Sequence, residues 1–369
     1  MIETPDELKK QTVNKELPLS LRQLERLSWN YWWSWAPDGA ATFRDLDPKV
    51  WEECEHNPRL LLARTSEYRL AQMATDPTYI LRVRRLVERF DEYMIEAQAK
   101  QTEWSYDSGT NFNAQNPVAY FCAEYGVHNS IPLYSGGLGM LAGDHLKSAS
   151  DIGVPLIAVG LLYRYGYFTQ RFRRDGWQEE HYGDTHPEEL PLHQVKADDG
   201  SPLGIEVLIR NRPVRAQVWR ADVGQVPLYL LDTNIPENAE IDRLVTGHLY
   251  GGDRETRIVQ EMLLGIGGIR LLRRLNLEPS VFHLNEGHSA FLTLELAREF
   301  IKARGINFTD AAKLVRERCV FTTHTPVAAG NDEFDAELVR QCFGPDYAKE
   351  LKLSEAEFFA LGRVDAANT

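Results

Sequence analysis

Near residue 113 the spacing between apolar side chains changes, and no single kind of secondary structure can bury the residues on both sides of that change. Before it, apolar residues recur every three or four positions: Leu21, Leu24, Leu27 and Tyr31 in LRQLERLSWNYWWSWAPDGAATF, then Ile80, Val83, Val87 and Phe90 within 77–100. That step is the step of one helix face. After it, short unbroken apolar runs of strand length alternate with helix-like stretches. The polar tract SYDSGTNFNAQNP lies between the two patterns and is rich in turn-forming residues. The chain therefore divides into a Trp-rich helical N-terminal region, 1–112, and a second region, 113–369.

The second region opens with VAYFCAE (118–124), a glycine-rich loop, a helix-like stretch at 141–151 and a second apolar run, VPLIAVGLLY (154–163). Strand, helix and strand in this order form a βαβ unit with parallel strands. The stretch 204–233 alternates polar and apolar residues between glycine and proline breaks, which predicts a small antiparallel excursion from the α/β frame. The frame then resumes with a helix at 254–275, a strand at 281–285, helices at 288–304 and 310–318, and a strand at 319–325. This alternation predicts the α/β class, with a doubly wound parallel sheet.

Composition removes several functions. The chain carries 41 Lys and Arg against 54 Asp and Glu, a net −13, so it lacks the general positive field that grips nucleic-acid phosphates. At 43% hydrophobic and 26% charged it has the balance of a folded globular protein. The start MIETPDELKK has no basic segment followed by an apolar one, and the longest apolar run, 154–163, is about half of a membrane span. Neither secretion nor membrane insertion is expected. Cys54, Cys122, Cys319 and Cys342 are scattered without a CxxC pair, which suits reduced thiols and a cytoplasmic location.

The chemistry concentrates in Ser135-Gly136-Gly137-Leu138-Gly139, between a strand and a helix. Glycines there let backbone N–H groups approach an anion with no Cβ in the way, and the following helix adds its positive end. Glycine can equally serve the turn alone. The loop is neither a phosphate-binding GxxxxGK[ST] nor a GxGxxG followed by an acidic residue on the next strand. Trp29, Trp32, Trp33 and Trp35 could stack on sugars, but packing of the helix on the next domain is the stronger reading for so dense a cluster. His283 and His288 have the wrong spacing for a zinc pair, and no metal is expected.

Four blocks in order resemble the α-glucan phosphorylases: FCAEYGVHNSIPLYSGGLGMLAGDHLKSASDIGVPLIAVGLLYRYGYFTQ, LYGGDRETRIVQEMLLGIGGIRLL, VFHLNEGHSAF and FTTHTPVAAGNDEF. The segment LSWNYWWSWAPDGAATFRDLDPKVWEECEHNP resembles the group of these enzymes with a Trp-rich helical N-terminal region. The resemblance implies a glycosyltransferase of two Rossmann-like domains, the GT-B architecture. This chain would supply the helical region and the first of those domains, the C-terminal cofactor-anchoring domain being absent. The implied reaction is phosphorolysis of terminal α-1,4-glucosyl units of glycogen or maltodextrin, giving α-D-glucose 1-phosphate with retention.

The implied cofactor is pyridoxal 5′-phosphate, working through its phosphate group, with its Schiff-base lysine outside this chain. By motif, Gly136 and Gly137 would meet the substrate phosphate near the cofactor, and Leu138 would lie by the glucosyl unit. His324 would hold the hydroxymethyl end, Glu124 would stand at the site wall, and Glu286 and His288 would orient the sugar side. Asp144, His145 and Lys147 are secondary candidates. The implied partners are α-1,4-glucan and inorganic phosphate, with a separate C-terminal half and a homo-oligomer also open. Alone, the chain is expected to be inactive. Two other readings are a noncatalytic glucan-binding half and a nucleotide-sugar glucan synthase, although the synthase loop normally sits near the N-terminus behind a lysine.

Overall fold

The computed structural model describes residues 15–107, 113–326 and 332–363. The expected leader-free start at 1–10, part of the polar tract and the middle of FTTHTPVAAGNDEF lie outside the described residues.

The N-terminal helices pack around their own apolar cluster. Helix α1, Arg22–Ser28, buries Leu24 and Leu27, and Leu21 just before it is also fully buried. Each such side chain contributes roughly 1.5–3 kcal/mol on leaving water. The predicted helix does not run on to Tyr31. Asn30 turns to an extended conformation, its side-chain oxygen accepts from Trp32 N at 2.9 Å and Gly224 N at 3.0 Å, and its amide donates to Gly224 O at 2.8 Å. A separate 3₁₀ turn, Tyr31–Ser34, follows, and Tyr31 joins the core of the α/β region.

Helix α2, Pro77–Asp107, is longer than the pattern suggested, and its buried stripe is Tyr79, Val83, Leu86 and Phe90. Ile80 and Val87 flank that stripe, half-buried, and the buried Tyr79 hydroxyl donates to Thr42 O at 2.9 Å. The tryptophans divide between two tasks. Trp32 and Trp33 fill the helical core. Trp29 stacks on His193 at 4.3 Å under the Arg59 guanidinium, and Trp35 Nε1 donates to Asp151 at 3.1 Å.

Among the described residues ten strands follow: β1 (Val118–Phe121), β2 (Leu156–Leu161), β3 (Thr169–Phe172), β4 (Gln178–His181), β5 (His193–Gln194), β6 (Gly204–Ile209), β7 (Arg212–Val223), β8 (Val226–Asp232), β9 (Val281–Asn285) and β10 (Cys319–Thr322). The main sheet runs β10-β9-β1-β2-β8-β7-β5, with β6 also on β7. Strands β10, β9, β1, β2 and β8 are mutually parallel, and β5, β6 and β8 are antiparallel to β7. Strand β2 is buried throughout, as its unbroken apolar sequence requires, whereas β6 alternates exposed and buried residues.

The meander β6–β7–β8 is antiparallel, as the alternation at 204–233 predicts. It extends the main sheet, with β8 pairing in parallel with β2. The hairpin β3–β4 stands apart from that sheet, fully exposed.

Helix α3, Gly137–Asp151, connects β1 to β2. It begins four residues earlier than the apolar pattern indicated, so the glycines form its first turn. Its small-residue stripe lets the backbone come close: a Cβ on Gly143 would stand 2.2 Å from Gly126 O, and Gly126 N donates to Gly139 O at 2.7 Å. Helix α4 (Arg254–Met262), a π turn (Leu263–Gly267) and helix α5 (Gly268–Arg274) make one continuous buried rod. Helices α6 (Leu292–Arg304) and α7 (Phe308–Arg316) carry the chain from β9 to β10. No described helix is long and apolar enough to cross a membrane.

Candidate active site

Parallel strands deliver their carboxyl ends to one edge of the sheet, where open α/β proteins bind ligands. Phe121 of β1, Leu284 of β9 and Phe321 of β10 lie in register side by side. Glu124, Glu286 and His324 sit two or three residues beyond that line. At roughly 4.8 Å per strand the three chain segments span about 10 Å.

Glu124 is buried at 2% exposure, and its carboxylate is fully engaged. Oε2 accepts from Ser135 N at 2.8 Å, Gly136 N at 3.3 Å and Ser135 Oγ at 3.4 Å, while Oε1 accepts from the Tyr250 hydroxyl at 2.7 Å. Among the described residues no arginine forms a salt bridge with it. Glu124 therefore acts as a clamp that holds the glycine loop at the entrance to α3. Burial and the Glu124 charge push the Tyr250 phenol well above its ordinary range, so it stays a donor.

The clamp takes the Gly136 N–H, the first of the four donors that a helix start leaves without an intrahelical acceptor. Those of Gly137, Leu138 and Gly139 follow, and no side chain caps them. Gly136 and Gly137 are exposed, and a Cβ built on either meets nothing within 4 Å. Gly139 is different, since a Cβ there would lie 2.4 Å from Tyr134 Cβ and 2.7 Å from Glu124 Oε2. The loop thus contains glycines of two kinds, one set open to a ligand and one required by packing.

Glu286 is the counterpart clamp on the next strand. Its backbone sits at φ 62°, a left-handed conformation that costs a non-glycine residue about 1–3 kcal/mol. That turn aims the carboxylate at 323–325. Oε1 accepts from His324 N, from Thr325 N at 3.1 Å and from Thr325 Oγ1 at 3.3 Å, and Oε2 accepts from Thr323 Oγ1 at 3.1 Å. Burial raises its pKa, but these donors outweigh burial and the carboxyl ends below its usual range. His324, held by its backbone, is itself exposed, and its Nε2 lies 3.0 Å from Asn285 Oδ1.

The remaining sequence candidates divide. Leu138 is half-buried beside the loop. His288 is half-buried behind the site, 5.8 Å from the Tyr250 ring, with its Nδ1 unpartnered. Burial first, and then the Arg257 charge, lower its pKa and favour the neutral ring. His145 and Lys147 turn away from the loop: His145 packs on the Tyr120 ring at 4.7 Å, and Lys147 Nζ lies 5.8 Å from the Trp35 ring. Asp144 is exposed on α3. No group of three His, Cys, Asp or Glu among the described residues is placed to hold a metal.

Sequence reasoning had not singled out Tyr250, Asn285, Arg257, Glu261 or Asp332. Tyr250 precedes Gly251-Gly252 and Asn285 precedes Glu286, so both stood inside blocks quoted for the resemblance without being assigned a role. Glu261 is a buried acid inside the apolar stretch of α4, a signal visible in the sequence. Its carboxyl is pushed up to about 9 by burial and by Asp332, with Arg257 opposing. Arg257 bonds Asp332 at 2.5 Å and lies 4.9 Å from the Tyr250 ring, which ties this group to the Glu124 clamp.

Comparison with known proteins adds the relationship. A sequence model described as a protein of unknown function (DUF3417) matches residues 17–131, and that of the carbohydrate phosphorylases matches 127–210. The maltodextrin phosphorylase of Thermococcus litoralis is 43% identical over 95% of this chain and 41% of its own length. The chain matches the N-terminal part of the α-glucan phosphorylases. The glycogen phosphorylase of Mycobacterium tuberculosis is 46% identical over 90% of this chain and 39% of its own, and that of Aquifex aeolicus is 34% identical over 89% and 47%. The chain spans about two fifths of the length of the first two of these phosphorylases.

Proposed function

We propose that the chain forms one wall of an α-glucan phosphorylase site, in which inorganic phosphate attacks a terminal α-1,4-glucosyl unit of glycogen or maltodextrin and α-D-glucose 1-phosphate leaves with retention. The observation that carries this reading is the pairing of an open glycine helix start with a separately clamped His324 along one sheet edge. The N–H groups of Gly137 and Leu138 meet negative charge with no side chain intervening, and they gain strength from the helix dipole. His324 takes the hydroxymethyl end of the glucosyl unit, with Leu138 alongside.

The two carboxylates do not make a hydrolytic pair. Such a pair needs an acid kept protonated and a free carboxylate, whereas Glu124 and Glu286 each accept four hydrogen bonds from the protein. They position loops, and His288 supports the site from behind. On this reading residues 1–112 and 113–369 are two domains, the second being the first Rossmann-like half of a GT-B enzyme working in the cytoplasm.

Pyridoxal 5′-phosphate fits the donor set, because the space above Gly136 and Gly137, which a Cβ would enter, suits a phosphate. When bound it supplies a phosphate that exchanges a proton with the substrate phosphate. Its anchoring lysine is assigned to the part of the relatives that this chain does not span.

The test is substrate discrimination in a complete enzyme that contains this sequence. Wild type rejects a terminal 6-deoxyglucosyl unit, since a site built to bond a hydroxyl strongly disfavours an analogue without it. His324→Ala loses most of that discrimination. Equal discrimination by both enzymes would remove His324 from the sugar site.

A further inference from the structure

His324 is exposed at its ring yet touches one buried group. Its Nε2 lies 3.0 Å from Asn285 Oδ1. Asn285 is 1% exposed, and its other atom, Nδ2, lies 2.7 Å from the Tyr120 hydroxyl and 3.4 Å from Cys122 Sγ. Tyr120 and Cys122 are themselves buried, and burial pushes both their pKa values up, so neither becomes an anion.

We propose that Asn285 is a positioning residue that sets the tautomer of His324: its side-chain oxygen takes the Nε2–H, leaving the Nδ1 lone pair for a ligand at the open edge of the sheet. The argument is one of donors and acceptors. An asparagine amide has one oxygen and one NH₂, and turning the first toward one neighbour turns the second toward the opposite one. The Tyr120 hydroxyl and the Cys122 thiol can each accept as well as donate, and in the structure Nδ2 is the atom that faces them. The oxygen is then left for His324, and an oxygen that only accepts requires Nε2 to carry the proton.

The backbone prevents His324 from escaping this arrangement. Its N–H is held by the Glu286 carboxylate, which also accepts from Thr323 and Thr325, so the ring pivots on a fixed stem. His283, on the same strand as Asn285, is occupied elsewhere, its Nε2 lying 2.7 Å from Thr322 Oγ1. The consequence is a chemical preference. A neutral imidazole presenting Nδ1 accepts a hydrogen bond and so receives a hydroxyl group, whereas one presenting N–H would favour an anion. The inference deepens the sugar-binding reading of His324 and rests on it for its purpose, but its test requires no turnover.

The whole chain, labelled with ¹⁵N at histidine, is examined by long-range proton–nitrogen correlation at pH 8, with His324→Gln assigning the signal. The expected result is the limiting pattern of a single tautomer with hydrogen on Nε2 for His324. In Asn285→Leu the pattern moves toward an average of both tautomers, and Asn285→Asp, which restores an accepting oxygen, returns it to the single form. A wild-type ring protonated on Nδ1 would overturn the proposal, and so would an unchanged single tautomer in a folded Asn285→Leu. If the leucine variant does not fold, the wild-type spectrum and Asn285→Asp still decide the matter. A correct tautomer with no loss of 6-deoxy discrimination in His324→Ala would instead count against the sugar-binding reading alone.

Discussion

Alanine substitution along the glycine loop separates the two kinds of glycine. At Gly137 a Cβ enters open space on a backbone that needs no positive φ, and the position opens a helix, so Gly137→Ala should leave stability unchanged or raise it by up to about 0.5–1 kcal/mol. Gly136→Ala should likewise be tolerated. At Gly139 the Cβ meets Tyr134 Cβ at 2.4 Å and Glu124 Oε2 at 2.7 Å. Overpacking alone costs about 1–3 kcal/mol, and displacing a buried carboxylate from any one of its donors adds about 1.5–3 kcal/mol more. A loss of about 3 kcal/mol or more is therefore expected for Gly139→Ala. Gly143→Ala, whose Cβ would meet Gly126 O at 2.2 Å, should behave in the same way. Urea unfolding of the four variants beside wild type, followed by circular dichroism, measures this. Destabilisation by Gly137→Ala equal to that by Gly139→Ala would show that the loop glycines serve the turn alone.

Three further outcomes follow from the buried acids and the loop. Glu286 has a lowered folded pKa, so its contribution is present above the unfolded value of about 4.3 and is lost as pH falls through the folded one; Glu286→Gln should flatten that acid limb and increase proteolysis or hydrogen exchange at 323–325. Glu261, raised to about 9, has the opposite sign: the folded state keeps a proton that the unfolded chain loses above about 4.3, so stability declines from there toward pH 9. Glu261→Gln, which keeps a donor for Asp332, should remove that slope and melt higher than wild type at pH 8; an unchanged slope would mean the proton is elsewhere. Borohydride treatment of the 369-residue chain with pyridoxal 5′-phosphate, followed by mass measurement, should give no specific stable lysine adduct, and a stoichiometric one would place the cofactor's anchor within this sequence.

Strand β2 was legible because both its faces are buried, which leaves the run LIAVGL without polar interruption. The glycine loop and the TTHTP turn were legible as motifs. The break at Asn30 was not, because its cause is a pair of hydrogen bonds to Gly224, 194 residues away. The place of β6–β8 in the main sheet was hidden for a related reason: alternation predicts a one-sided strand but not its neighbour. Glu124 and Glu286 could be identified as residues but not as clamps, since their roles depend on Tyr250 and on the 323–325 backbone reaching them through the fold. The left-handed φ of Glu286 has no signal in a residue type that ordinarily avoids it.

The most direct measurement of the account's central claim is phosphate-dependent release of glucose 1-phosphate from maltoheptaose by the complete protein that contains this chain, with wild type beside Gly137→Val and the product's anomeric form read by ³¹P and proton NMR. The account predicts the α anomer from wild type. It predicts a 10²–10³-fold loss in Gly137→Val, about 2.7–4 kcal/mol for one preorganised N–H, with the melting temperature unchanged. Phosphate-independent release of free glucose, or undiminished phosphorolysis by Gly137→Val, would contradict it.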